Sequence, residues 1–335
     1  IRIIGEEEFR KMLDMTGRQL TLFDSTEMRK PSDILKRVRH FLSEEIWILN
    51  PDEVSRVKAK FIKYVKVLII TIKTFSAQKI GFQAVALSFF GTMSVVPFLA
   101  VTFVVTGGLG LEDRLRQLLY DNFSNSQETV NMIMGFADNI INTAMSSGVG
   151  LVSSLLFLWV VIWMMMSVER VFNNVWKVHK SRNIFKRLSF YLVVLFIAPF
   201  ILMLFFSGSI SYTNLFNNMD WGFPNMEELK SFVAWLLFYA VATLTFSAMY
   251  KFIPNYKVKY AHAFKAAAIS AVVFTLLQYL YLETQLFVTR LDMVYGALAA
   301  IPLFMFWLNF GWFIILFGAE LSYAFQNVDH YNLDD

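Results

Sequence analysis

The chain is expected to be all-α and polytopic in a membrane, with six transmembrane helices, a cytoplasmic N-terminal amphipathic arm and an external amphipathic hairpin. Three observations predict this. Of 335 residues, 56% are hydrophobic and only 17% charged, with 35 Phe, well outside the usual balance of a soluble domain. Six stretches carry no charge at all: 80–111, 139–168, 188–219, 231–250, 266–282 and 293–319. A helix needs about 20 apolar residues to cross ~30 Å of hydrocarbon, and the fifth stretch reaches that length with Lys265 and Glu283 at the interfaces. The third observation is where the basic residues fall, which is taken up with the loops below.

Residues 1–50 read as a polar cytoplasmic arm. Within it "PSDILKRVRHFL" offers Ser32 as an N-cap and Ile34, Leu35, Val38, Phe41 and Leu42 at helical spacing, so a short amphipathic helix is expected. The run "EEE" at 6–8 is a solvated face. No cleavable leader is seen, so the first span is expected to serve as the targeting signal.

Over 51–78, a start signal at Asn50, Pro51 and Asp52 precedes Val54, Val57, Phe61, Tyr64, Val65, Leu68 and Ile72 along one side. Lys58, Lys60, Lys63, Lys66 and Lys73 occupy the others. Such a helix either lies on the inner leaflet, its lysines on anionic headgroups, or packs on the cytoplasmic ends of the spans.

The membrane domain is expected over 79–326, with spans near 80–107, 148–172, 188–212, 231–253, 263–287 and 295–322, and a tail at 327–335. Between the first two spans, "TVNMIMGFADNIINTA" puts Val130, Ile133, Met134, Ala137, Ile140, Ile141 and Ala144 on one face. This stretch, with Glu112, Asp113, Asp121, Glu128 and Asp138, makes an acidic external hairpin. With the N-terminus inside, the inner surface collects the lysines and arginines of 56–79, then Lys177, Lys180, Arg182, Lys186, Arg187, Lys251, Lys257, Lys259 and Lys265. The outer loops hold only Arg114, Arg116, Lys230 and Arg290, so the positive-inside rule places both termini in the cytoplasm of a multi-pass inner (plasma) membrane protein.

Three stretches carry a family likeness. "GFQAVALSFFGTMSVVPFL" contains Ser94 and Pro97, "KFIPNYKVKYAHAFKAAAISAVVF" opens the fifth span, and "VYGALAAIPLFMFWLNFGWFIILFGAELSYAF" holds Tyr295, Gly296, Pro302, Trp307, Gly318, Ala319 and Glu320. Together, over roughly 60–325, they resemble the YihY/BrkB family of bacterial inner-membrane proteins, once labelled ribonuclease BN. Ser88 and Phe89 depart from it, since tyrosines are more usual there. The resemblance implies six spans, an inner-membrane location and no settled activity, with lipid or lipopolysaccharide-precursor transport and serum resistance among the proposals. It also implies a basic position in the loop after the second span, which Arg182 matches.

Within these spans a few residues stand out as candidate sites. Glu320 closes the long uncharged run and shares a helical face with Asn309 and Pro302. Two roles suit it: an ion pair fixing helix registry, with Lys79, Arg182, Arg187 or Lys265 as partner, or a proton or substrate site. Arg182 is the candidate for a lipid phosphate or for Glu320. Gln278 and Glu283, with Gln285, Arg290 and Asp292 beyond, form either an outer polar rim or the lining of an outward cavity. Pro97, Pro199 and Pro302 interrupt spans, which either shapes a cavity or is absorbed by neighbouring helices.

Other chemistries lack their residues. There is no cysteine, and His40, His179, His262 and His330 stand apart with no metal-ligand spacing, so neither a metal site nor a ribonuclease is expected. No phosphate loop occurs and no cofactor or nucleic-acid partner is implied. The expected function is non-enzymatic movement or exposure of a lipid or lipid-linked envelope precursor. The alternatives are an ion- or proton-coupled carrier or channel using Glu320, and a structural partner docking an envelope complex through its arm. Expected partners are membrane lipids with anionic headgroups at the cytoplasmic face, and either an envelope protein or a second copy.

Overall fold

The computed structural model describes residues 46–48, 56–122, 148–178, 182–217, 226–289 and 300–331, with isolated positions between 127 and 139. The expected helix around Ser32, the start signal at Asn50 to Asp52, the Tyr295 and Gly296 motif and most of the 327–335 tail lie outside the described residues.

Two compact units divide the chain, Ile1–Lys66 and Val67–Asp335. In the first, a helical turn Ile46–Ile48 buries Ile46, and the Lys66 ammonium lies 5.6 Å from the Trp47 ring. Helix α1, Arg56–Ala77, begins in this unit, where Val57, Phe61 and Tyr64 are exposed.

The second unit contains the end of α1 and seven further helices among the described residues. These are α2 (Ile80–Gly108), α3 (Glu112–Asn122), α4 (Gly148–Val175), α5 (Ile184–Asn217), α6 (Met226–Phe252), α7 (Tyr260–Thr289) and α8 (Ala300–Asn327). All described elements are helical. Six of these helices lie over the six uncharged stretches, and a helix bonds its backbone groups within itself where apolar surroundings offer no water. Among the described residues three spans are long and apolar enough to cross a membrane: Trp235–Phe252, Tyr260–Tyr281 and Pro302–Asn327.

The helices pack α5 on α6, α6 on α7, α7 on α8 and α8 on α2, with α2 also against α4 and α5. Their outer faces are apolar: Phe82 is 75% exposed and Trp159 61%, with Phe89, Met93, Leu155, Trp163, Val272, Leu276, Phe306 and Phe310 also exposed. A soluble domain rarely leaves such continuous apolar surface, and facing lipid these residues lose nothing.

The prolines correct the expectation of interrupted spans. Helix α2 runs on through Pro97, which is buried, and α5 runs on through Pro199. Pro302 stands exposed in the first turn of α8, where its missing N–H has no intrahelical acceptor to lose.

After α2 the chain turns at Gly110, whose φ of +70° suits glycine. Helix α3 then meets the segment that follows it, because Arg116 pairs with Asp138 and the Tyr120 hydroxyl donates to Asn131 Oδ1 at 2.6 Å. Val130 and Met134 are buried there, as the amphipathic pattern requires, while Ile133, Ala137, Ile140, Ile141 and Ala144 lie outside the described residues.

Candidate functional site

The second half of α8 is the most enclosed piece of the second unit. Leu316, Gly318, Ala319, Glu320, Leu321, Ser322, Ala324 and Phe325 are all buried, so nearly every side of the helix is covered. Gly318 makes this possible: a methyl group there would strike Ser270 Oγ and the Tyr250 hydroxyl, so α6 and α7 approach the bare backbone.

Glu320 lies on the opposite side, toward α1, and is fully buried. The Thr74 hydroxyl donates to its Oε2 at 2.8 Å, and its Oε1 has no hydrogen-bond partner among the described residues. Phe75 meets Phe313 and Phe317 edge to face, at 4.9 and 5.6 Å between centroids, and seals this seam with rings. Among the described residues no cation lies within ion-pair distance of Glu320, and the Lys177 ammonium sits 5.9 Å from the Tyr323 ring, one turn further along α8.

A second buried carboxylate is held in the opposite manner. Glu169 on α4 accepts Arg187 Nε on Oε2 at 3.1 Å and Arg187 Nη2 on Oε1 at 3.3 Å. The Tyr191 hydroxyl donates to Oε2 at 2.5 Å. Arg187 and Tyr191 are one helical turn apart on α5, so a single face of α5 supplies a fork and a hydroxyl to one acceptor.

Around these carboxylates the connection between α6 and α7 is tied down from three sides. Arg182 Nη2 donates to Phe252 O at 2.7 Å and Pro254 O at 3.0 Å, which serves free carbonyls at the end of α6, and its guanidinium lies 4.9 Å from the Phe190 ring. Asn173 Oδ1 accepts the Asn255 N–H at 2.7 Å, one turn beyond Glu169. Trp176 stacks on Tyr256 at 5.0 Å and meets the edge of Tyr323 at 5.6 Å. The Lys251 ammonium donates to Val258 O, and the side chain of Gln326 on α8 bridges the Lys259 N–H and Lys257 O. The outer surface of this end exposes Arg170, Lys177, Lys186, Lys257, Lys259 and Lys265 beside the aromatic side chains of Phe185, Phe252, Tyr256, Tyr260 and Phe264.

The residues singled out in the sequence separate into distinct places. Asn309 Nδ2 reaches Ser88 Oγ on α2 at 3.4 Å, so Asn309 and Glu320 both face the N-terminal helices, whereas Pro302 is exposed. Of the four cations considered for Glu320, Arg187 is on Glu169, Arg182 is on the α6 carbonyls, and Lys79 and Lys265 are exposed. Glu283 is exposed on α7, and Gln278 Oε1 accepts Trp307 Nε1 at 3.0 Å across the α7 and α8 contact. Trp307→Phe is therefore expected to lower thermal stability in detergent by about 0.6 kcal/mol, a typical value for one such bond between membrane helices. No change in melting would show that the bond contributes nothing.

Sequence reasoning missed Thr74 and Tyr191; it placed Glu169 at the cytoplasmic end of the second span and considered Arg187 for Glu320, but did not pair the two. Two signals were available: Thr71 and Thr74 stand with Val67 and Ile70 on a lysine-free strip of α1, which is its buried side, and Arg187 and Tyr191 stand four apart at the start of an apolar run. Among the described residues no group of three or more His, Asp or Glu side chains gathers as a metal site.

Comparison with known proteins follows the membrane helices closely. A family model described as virulence factor BrkB matches residues 71–335. A UPF0761 membrane protein of Acinetobacter baylyi is 32% identical over 265 residues, covering 77% of this chain and 61% of its own length. One from Actinobacillus pleuropneumoniae is 29% identical, covering 76% of this chain and 91% of its own, and one from Chlorobium limicola is 29% identical, covering 87% and 65%. The match thus spans less than two thirds of the Acinetobacter and Chlorobium proteins. No solved structure matches the chain.

Proposed function

Since the chain belongs to the virulence factor BrkB family and is a membrane protein, we propose that it is a non-enzymatic translocation protein for a lipid or lipid-linked envelope precursor. In this reading six helices span the bacterial inner membrane and both termini are cytoplasmic. The carrying observation is a juxtaposition at one end of the helices. There an exposed set of cations and aromatic rings lies at the same end as a buried carboxylate that has no ion-pair partner among the described residues.

Lysine and arginine beside tyrosine and phenylalanine suit the headgroup layer, where each basic residue near an anionic surface contributes about 1 kcal/mol. The concentration of cations at this end supports a cytoplasmic orientation for it. An ionisable group inside a span is a functional-site candidate, and Glu320 lies one helical turn before Tyr323, whose ring Lys177 faces at 5.9 Å.

Dithionite bleaching of fluorescent anionic phospholipid in proteoliposomes tests the proposal. Wild type is expected to bleach beyond the outer-leaflet half. The Lys257→Ser, Lys259→Ser double variant removes two exposed side chains but leaves the loop's backbone bonds. It is expected to weaken headgroup capture by about 2 kcal/mol, roughly 30-fold. Wild type indistinguishable from empty vesicles would sink phospholipid translocation.

A further inference from the structure

Thr74 and Glu320 are arranged to serve a carboxyl group in two protonation states. Thr74 Oγ1 stands 2.8 Å from Ile70 O, 3.2 Å from Thr71 O and 2.8 Å from Glu320 Oε2. A hydroxyl has one proton to give and two lone pairs to receive. With Glu320 ionised, that proton points to Oε2. With a proton on Oε2, the acid donates to Thr74 Oγ1 and the threonine hydroxyl turns onto Ile70 O. Both states are hydrogen-bonded at the same heavy-atom positions, so exchanging them requires only rotation about one C–O bond.

Glu169 is held differently, by a charged partner. Arg187 donates one N–H to each of its oxygens, and the Tyr191 hydroxyl donates to Oε2 as well. Glu320 has Thr74 as a neutral partner that gives or receives and, among the described residues, no cation on it and no partner for its Oε1.

We propose that Thr74 and Glu320 form a proton-exchange site within the membrane, through which movement of the substrate is coupled to movement of protons. This rests on the translocation reading and adds the coupling ion to it. The step is Glu320 carboxylate plus a proton from one side of the membrane, giving the acid, followed by return of that proton to the other side; no electrons move. A bound metal cation would demand several converging oxygens, whereas a proton needs one atom and the hydroxyl already in place.

The surrounding charged and titratable groups are few. On α1, Lys73 lies over the Tyr331 ring at 5.9 Å. On α4, Glu169 is paired and Arg170 is exposed, and just after it Lys177 lies over Tyr323. On α6, Tyr250 faces the Gly318 side of α8, away from Thr74, and α7 carries His262 and Lys265 in its opening turns. Helix α2 has no charged residue.

The test uses the full chain in proteoliposomes with a pH-sensitive dye inside, following proton entry and lipid movement together under an imposed pH gradient or an imposed sodium gradient. Proton entry is expected to accompany lipid movement in wild type and in Thr74→Ser, which keeps the hydroxyl. Thr74→Val is expected to slow both roughly tenfold, the effect of one lost buried hydrogen bond. Glu320→Gln is expected to abolish proton entry. Infrared difference spectra between acid and alkaline buffer supply a readout that folding defects do not imitate. A protonated-carboxyl band should be present in wild type, displaced in Thr74→Val, unmoved in Thr74→Ser and missing in Glu320→Gln. Lipid movement that proceeds without proton entry, or that follows the sodium gradient, would overturn the coupling, as would a band unaffected by Glu320→Gln. A band that behaves as stated in vesicles that move no lipid would uphold the proton site and remove the translocation reading instead.

Discussion

Replacing Arg187 with alanine is expected to destabilise the protein by roughly 3–5 kcal/mol, because it strands the buried Glu169 charge rather than merely deleting a contact. The Glu169 side chain is 1% exposed and that of Arg187 23%, so water reaches the guanidinium but not the carboxylate. Loss of the fork leaves Tyr191 as the remaining donor of the three. Thermal unfolding of the detergent-solubilised protein measures the effect, and a double-mutant cycle separates its causes. Adding Glu169→Gln to Arg187→Ala should recover much of the loss, since the charge then disappears with its partner. Arg187→Lys should recover only part, because a point charge cannot reproduce two N–H bonds at fixed geometry. If Arg187→Ala melts like wild type, Glu169 is not held as described.

Gly318→Ala is the second large effect, about 1–3 kcal/mol of overpacking. The added carbon would fall 2.8 Å from Tyr250 Cζ and closer still to the Tyr250 and Ser270 hydroxyls, in a place where two helices already touch the backbone. Gly81→Ala is the control, since its methyl would meet Phe313 and Phe75 at 3.7 and 3.8 Å, ordinary contact distances. It should be neutral or gain up to about 1 kcal/mol from helix propensity. Combining Gly318→Ala with Tyr250→Phe and Ser270→Ala removes the two oxygens in the way and is expected to restore part of the loss. Equal melting of Gly318→Ala and Gly81→Ala would show that α8 does not approach α6 and α7 this closely.

Both effects concern residues whose importance was unevenly visible beforehand. Gly318 was noticed as part of a pattern with Ala319 and Glu320, but the pattern did not say which helices it admits. Glu320 was noticed for its charge, and four cations were considered for it; the partner is a threonine 246 positions away. Charge attracts attention in a sequence, whereas a hydroxyl on an apolar face does not, even though the cost of burial makes either one significant. Arg182 drew attention as a basic loop residue, and its observed bonds are to two backbone carbonyls at the end of α6. Carbonyls freed at a helix end are invisible in a residue string until the end of that helix is placed.

The sequence by itself determined that this is a helical membrane protein, which of its stretches are apolar, and where along the chain the basic residues collect. Those properties follow from length, apolarity and local charge, and each is a sum over neighbouring residues. Only the tertiary structure decided that Glu169 is neutralised by Arg187 and Tyr191 while Glu320 receives one neutral hydroxyl from Thr74. The physical reason is that both carboxylates are buried beyond the reach of water, so each takes its character from the few atoms within about 3 Å of it. Which atoms those are depends on how α1, α4, α5 and α8 pack, and packing joins residues far apart in the chain.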